Sequence, residues 1–276
     1  MEELTLGYSP CPNDTFIFYA LSQGLIDLPF RLNILLADVE MLNQKLRQGV
    51  LDISKLSTGA VLQILDKYTL LRSGGAIGRG CGPLVVARNP VTMEDLRDAR
   101  IAVPGVMTTA HLLLRLNGIH RGSCIPMLFD RIMPAVSSGQ VDAGVIIHEG
   151  RFTFPSYGLQ MVLDLGKWWE QETGLPLPLG AIAIRRDLGA DTARLVENKI
   201  RESLLYTRSH PDEAQPYIRQ HAQELEPEVI RRHIDTFVNE FSIDAGEEGE
   251  NAMKRLLQAA CSLDKISFPG DSLFWS

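Results

Sequence analysis

His148 is the residue in this sequence best placed for acid–base chemistry. It follows Val145-Ile-Ile147, a short apolar run bounded by glycines. Such a run reads as a buried strand of a parallel sheet. In open α/β sheets, ligands collect beyond the carboxyl ends of the strands. An imidazole there can take up a proton near neutral pH. A histidine that only caps a strand and bonds to backbone would look the same, and this stretch alone leaves both readings open. Three further stretches bring polar groups to strand ends: Ser9-Pro-Cys-Pro-Asn13-Asp14-Thr15, Ser54-Lys55-Leu56-Ser57 and Pro104-Gly-Val-Met-Thr108-Thr109. The first and third run into apolar segments of helical character, so their polar residues sit where helix amides point outward and suit an anion. Asn13 and Asp14 are either polar ligand contacts or plain helix caps.

Alternating strand and helix patterns position these residues. Strands are expected over Leu4–Tyr8, Arg31–Leu36, Ile53–Leu56, Tyr68–Arg72, Pro83–Arg88, Arg100–Val103, Pro126–Phe129 and Met161–Leu165. Asp38 opens a helix that carries Val39, Leu42 and Leu46 on one face and stops at Gly49. Leu175-Pro-Leu-Pro-Leu-Gly180 reads as a stiff linker before a strand at Ala181–Arg185. The glycine-rich stretch Ser73–Pro83 leads into a strand rather than opening a helix. It therefore reads as a main-chain turn near a ligand or hinge, not a phosphate loop. From about Asp191 the pattern becomes helical, with breaks near Pro211, Pro227 and Phe241. His210, His221 and His233 are too scattered for a metal site and read as surface or packing residues, as do His111 and His120. Phe152, Phe154, Trp168 and Trp169 either line an apolar wall or fill the core.

The 276 residues are 45% hydrophobic and 22% charged, with a net charge of −7. A sizeable core is available. An acidic chain with no basic run excludes a nucleic-acid partner, and no apolar run is long enough to span a membrane. Cys11, Cys81, Cys124 and Cys261 lack metal or redox spacing and read as reduced thiols. With no basic-then-apolar leader at the N-terminus, a cytoplasmic location is expected. No Gly-x-Ser-x-Gly elbow or His-Glu-x-x-His pair is present, which argues against a serine hydrolase or a zinc protease.

The chain also echoes itself. Gln48-Gly49-Val-Leu-Asp52 leads to Ser57, and Ser138-Gly139-Gln-Val-Asp142 leads to His148. In each, a helix ends on glycine, an aspartate follows three residues later, and a strand delivers a polar residue at its end. The expected architecture is therefore α/β with two lobes facing a central cleft and a helical C-terminal tail. The larger lobe would comprise 1–89 and 180–276, the smaller 90–179.

The block Gly7-Tyr-Ser-Pro-Cys-Pro-Asn-Asp-Thr-Phe-Ile-Phe-Tyr-Ala-Leu21 resembles the N-terminal signature of the 1,4-dihydroxy-6-naphthoate synthases of the futalosine route to menaquinone. The resemblance extends through Ser54-Lys55-Leu56-Ser57 (serine standing where the family has threonine), Leu71–Gly80, Val103-Pro-Gly105, Thr108-Thr109, Ile146-Ile-His-Glu149 with Arg151-Phe-Thr153, Trp168-Trp169, Gly174–Gly180, Val238-Asn239 and Gly246–Glu250. It implies a fold like the type 2 periplasmic binding proteins and a lyase without metal or organic cofactor. It also implies a small-molecule substrate, cyclic dehypoxanthinylfutalosine, cleaved to 1,4-dihydroxy-6-naphthoate and dihydroxyacetone. The family's base corresponds to His148, and its ligand-binding segments to Lys55–Ser57 and Thr108–Thr109. The alternatives are a small-carboxylate-binding protein of the same fold and the chorismate dehydratase of the same pathway. No oligomeric state follows from the sequence.

Overall fold

Two five-stranded sheets with matching strand order organise the chain. The computed structural model describes residues 3–223, 226–270 and 273–275. The strands are β1 (Glu3–Tyr8), β2 (Arg31–Leu36), β3 (Ile53–Ser57), β4 (Tyr68–Gly78), β5 (Leu84–Ala87), β6 (Ile101–Val103), β7 (Cys124–Pro126), β8 (Ala143–Ile146), β9 (Gln160–Asp164) and β10 (Leu177–Arg185). The helices are α1 (Pro12–Ser22), α2 (Val39–Gln48), α3 (Thr109–Asn117), α4 (Phe129–Ser138), α5 (Gly150–Thr153), α6 (Leu165–Thr173), α7 (Gly189–Ser209), α8 (Pro211–His221), α9 (Pro227–Phe237), α10 (Glu240–Ile243) and α11 (Gly246–Asp264). The first sheet has the order β2-β1-β3-β10-β4 and the second β7-β6-β8-β5-β9.

The internal echo is structural. In each sheet one strand pairs in parallel with the two that follow it in the chain, β1 with β2 and β3, and β6 with β7 and β8. Antiparallel β10 and β5 then occupy corresponding places. Gly49 and Gly139 end α2 and α4 in the left-handed conformation, both at φ 79°. The aspartates three residues on perform one task. Asp52 accepts the Thr5 amide of β1 at 2.8 Å, and Asp142 accepts the Arg100 amide before β6 at 2.8 Å. Each fixes the depth at which its strand enters the sheet.

Several elements differ from the sequence expectation. The sheet around Val145 is mixed rather than parallel, since β8 runs antiparallel to β5. The first half of the glycine-rich stretch extends β4 to Gly78, with Gly74 at φ 82° where a side chain would meet Ile182 at 2.8 Å, while 79–83 leaves the strand and crosses to β5. The supposed linker 175–180 belongs largely to β10. Pro178 is tolerated because the ladder shifts register on both sides of Gly180, where a missing N–H costs no regular bond. The strand expected at Pro126–Phe129 ends at Pro126, and Phe129 starts α4. Because β5 pairs with β8 and β9, the first crossing between sheets lies between Gly78 and Leu84, upstream of residue 89.

The core follows the layers. α1 is buried on nearly every side, between the first sheet and α7 and α8 of the tail. Tyr8, Ile17, Phe18, Ile200 and Leu204 pack there, while Val85, Ile101, Leu113 and Val145 fill the second sheet's core. No helix among the described residues is long and apolar enough to cross a membrane.

Candidate active site

The strand ends of the two sheets meet around a cleft. All eight residues singled out from the sequence line it: Asn13, Asp14, Lys55, Leu56, Ser57, Thr108, Thr109 and His148. Of the two readings left open for Phe152, Phe154, Trp168 and Trp169, the apolar wall is not seen: none of the four lines the cleft, and Phe154, Trp168 and Trp169 pack in or against the cores. Trp169 is buried in the second core with its indole donating to the Pro176 carbonyl, and Phe152 lies beneath the Arg232 guanidinium. The cleft's aromatic residue is Phe237, from α9.

His148 sits two residues past β8, half-buried, with φ 54°. Left-handed backbone at a non-glycine residue is costly and persists only where its surroundings hold it. Here the following turn does so, through Gly150 N to Ile147 O and Arg151 N to His148 O. The ring stands edge-on to Phe129, with 5.1 Å between centroids. Burial pushes its pKa down to about 4, against the pull of Asp14, and the Lys55 charge adds to the lowering. At neutral pH the imidazole is therefore uncharged and can accept a proton.

The floor of the cleft is a buried ion pair. Lys55 Nζ lies 2.8 Å from Asp14 Oδ1 and donates to the Gly74 carbonyl at 3.1 Å. Asp14 Oδ2 accepts both the hydroxyl and the amide of Ser9. The lysine's positive charge is thus matched locally rather than free for a ligand. Asp14, for which the sequence left a ligand contact and a helix cap open, is the counter-ion of Lys55.

Ser57 is set by Asn43, whose side chain accepts the Ser57 amide at 2.9 Å and donates to Ser57 Oγ at 3.1 Å. That leaves the hydroxyl hydrogen available to the cleft. Opposite, Thr108 caps α3, its oxygen accepting the His111 amide while its hydroxyl donates to Gly105 O at 2.7 Å. Thr109 Oγ1 accepts the Gly59 amide at 3.1 Å and donates to Leu179 O at 2.6 Å, joining the two sheets. Both threonine hydroxyl hydrogens are committed to main chain. What α3 offers a ligand is the Thr109 and Ala110 amides of its first turn, which have no acceptor within the helix.

A family model described as menaquinone biosynthesis matches residues 4–262. The chain belongs to the menaquinone biosynthesis family. It is 54% identical over 262 residues to a protein of Thermus thermophilus named 1,4-dihydroxy-6-naphtoate synthase, covering 94% of each chain. It is 44% identical over 268 residues to one of the same name from Streptomyces coelicolor, covering 95% of this chain and 94% of that one. A crystal structure of an Archaeoglobus fulgidus protein, 37% identical, superposes with a TM-score of 0.90 over 96% of this chain and 98% of its own. The aliphatic sulphonate binding protein of Escherichia coli, 15% identical, gives 0.68 over 100% and 92%. That likeness establishes the two-lobed periplasmic-binding-protein fold for this member of the menaquinone biosynthesis family.

Three residues important to the site did not stand out in the sequence. Asn43 lies mid-helix and carries no motif. Glu40 is one of many surface-type carboxylates in helices, yet its side chain accepts the Met107 amide across the cleft. His233, read as a packing or surface residue, is fully buried with Nε2 2.8 Å from Asn13 Oδ1. A 220-residue separation left no local signal to find it. Among the described residues one trio, Cys11, His148 and Glu149, brings a thiol, an imidazole and a carboxylate within 4.8 Å of one another. Burial raises the Cys11 thiol well above its ordinary value, disfavouring the thiolate that a metal requires.

Proposed function

We propose that this chain is a cytoplasmic carbon–carbon lyase that cleaves cyclic dehypoxanthinylfutalosine to 1,4-dihydroxy-6-naphthoate and dihydroxyacetone, with His148 as general base. The observation that carries the reading is His148 itself. It is an imidazole kept neutral by burial, fixed at a strand end by a strained turn, and directed into the cleft that Ser57, Thr108 and Thr109 share. The names of the two curated relatives, at 54% and 44% identity, support the substrate class.

His148 removes a hydroxyl proton, and retro-aldol cleavage follows as the O–H electron pair becomes a carbonyl. Aromatisation of the product ring supplies driving force. The α3 amides behind Thr108 and Thr109 receive the carboxylate, and the Ser57 hydroxyl donates to a substrate oxygen. Asn13, Asp14 and Lys55 form the floor that holds these groups in place, and Leu56 supplies apolar lining. The two lobes hinge at the sheet crossings near 79–83 and 165–176, and closure excludes water from the reacting bonds.

Purified protein mixed with cyclic dehypoxanthinylfutalosine and a chelator, followed by chromatography and mass detection, tests the proposal. The naphthoate should appear with the enzyme and be absent with His148→Asn. Tight binding of the substrate without turnover would instead favour a binding protein on this fold. Turnover of chorismate alone would favour the dehydratase.

A further inference from the structure

The ion pair on the cleft floor dictates the tautomer of a histidine in the C-terminal helices. Asp14 Oδ1, facing the Lys55 ammonium at 2.8 Å, acts only as an acceptor. Asn13 must therefore turn its amide nitrogen toward it, which it does at 2.8 Å. The Asn13 carbonyl oxygen then faces His233 Nε2 at 2.8 Å, and that nitrogen must carry the hydrogen. His233 is thereby fixed as the Nε2–H tautomer, with a lone pair on Nδ1.

That lone pair has no partner among the described residues, although the side chain is fully buried. An orphaned acceptor in such a place needs a reason. The His148 ring is 6.0 Å away between centroids, with the planes 26° apart, and Phe237 packs beside His233 at 4.7 Å. The two rings are stacked, so an N–H···N bond between them forms only once the His148 imidazole turns its edge toward His233 Nδ1. Apolar surroundings and the proximity of His148 also keep His233 uncharged. The charged and titratable groups around the pair are Asp14, Lys55, Cys11 and Glu149.

We propose that His233 is a positioning residue for His148, its Nδ1 accepting the N–H of the His148 imidazolium formed during the reaction. The inference rests on His148 acting as the base. His148 takes the substrate hydroxyl proton on its free nitrogen, and its other N–H turns to His233 Nδ1. The C–C electron pair leaves with the three-carbon fragment, which takes the proton back from His148. No proton remains on the enzyme, and His233 stays neutral throughout.

The two amide residues separate this role from simple packing. In His233→Gln the amide nitrogen reproduces the Nε2–H donor to Asn13 but places nothing at Nδ1. His233→Asn does the reverse and loses the bond to Asn13. H233Q is expected to keep its melting temperature and its affinity for 1,4-dihydroxy-6-naphthoate while kcat falls about a hundredfold. The acid limb of kcat/KM should move to lower pH, because the imidazolium has lost its acceptor. H233N should lose stability as well. Unchanged kcat and pH profile in H233Q would overturn the proposal. Nitrogen NMR of the wild-type imidazoles, which needs no variant to fold, checks the premise: an Nδ1–H tautomer at His233 would also overturn it. Wild-type protein without turnover would overturn the function reading along with this one. Wild-type turnover with an unaffected H233Q would overturn this one alone.

Discussion

Both carboxylate oxygens of Glu40 lie within hydrogen-bond reach of the Met107 main-chain amide, at 3.2 and 3.1 Å. Glu40 belongs to α2, beside the first sheet, and Met107 to the loop that ends β6 of the second. The contact holds the cleft edge shut. It also explains Gly105, at φ 140°, where an added side chain would press into the Glu40 carboxylate. Gly105→Ala is therefore expected to destabilise the protein by about 1–3 kcal/mol, read by urea unfolding. Glu40→Gln, which keeps an acceptor oxygen, should cost much less. Gly105→Ala as stable as the wild type would mean that neither the φ of 140° nor the Glu40 contact persists in solution.

The Lys55–Asp14 pair makes a different demand. Its side chains are 6% and 2% exposed, so neither charge has water to fall back on. Removing one partner strands the other. Asp14→Asn and Lys55→Met should each destabilise by about 3–5 kcal/mol, whereas the double variant should recover part of that loss. Thermal unfolding of the three proteins checks this. Additive losses would mean the pair is not energetically coupled.

The sequence made the parallel βαβ halves legible because their signals are local. Asp38 before a helix, Gly49 and Gly139 after helices, and apolar runs such as Val145–Ile147 each state their own conformation. The repeated Gly-x-x-Asp spacing worked for the same reason, since Asp52 and Asp142 brace equivalent strands. The start of β10 was obscured because Pro176 and Pro178 read as a linker, and only the bulged pairing with β4 makes room for Pro178. The candidate lining residues follow strand ends, so they were readable. The groups that hold them were not. Asn43, Glu40 and His233 act across distances at which a single sequence carries no periodic trace, and the tautomer of His233, in α9, depends on a lysine in β3.

Two histidines with lowered pKa, joined by His111 in α3, make acid sensitivity a property of the fold. His148 is held at about 4 and His233 well below the ordinary 6.5, both mainly by burial. In the unfolded chain both return to roughly 6.5. Below that pH the unfolded state binds protons that the folded state refuses, so stability rises with pH across this window. The melting temperature is expected to be flat above about pH 7 and to fall as the pH drops toward 4. His148→Asn should flatten part of that slope. The acid limb of kcat/KM should likewise lie near 4. A limb near 6.5 would show that the imidazole is hydrated in the free enzyme.

Thr109 gives the sharpest separation of structure from binding. Its hydroxyl accepts from Gly59 and donates to Leu179, so it links α3 to the turn after β3 and to β10. Gly59 itself has no room for a side chain, since a Cβ would stand 2.8 Å from the Thr108 carbonyl. Thr109→Val keeps the shape but leaves the Leu179 carbonyl and the Gly59 amide unsatisfied, which should cost about 1–3 kcal/mol. Thr109→Ser restores both bonds and should be close to wild type. Neither change alters the first-turn amides of α3. Affinity for 1,4-dihydroxy-6-naphthoate, measured by calorimetry, should therefore hold in Thr109→Ser and weaken in Thr109→Val only as far as the cleft opens. Should both variants lose the product equally, the hydroxyl itself holds the carboxylate in a geometry that serine cannot keep. Should neither lose it, the amides suffice without the link between the sheets.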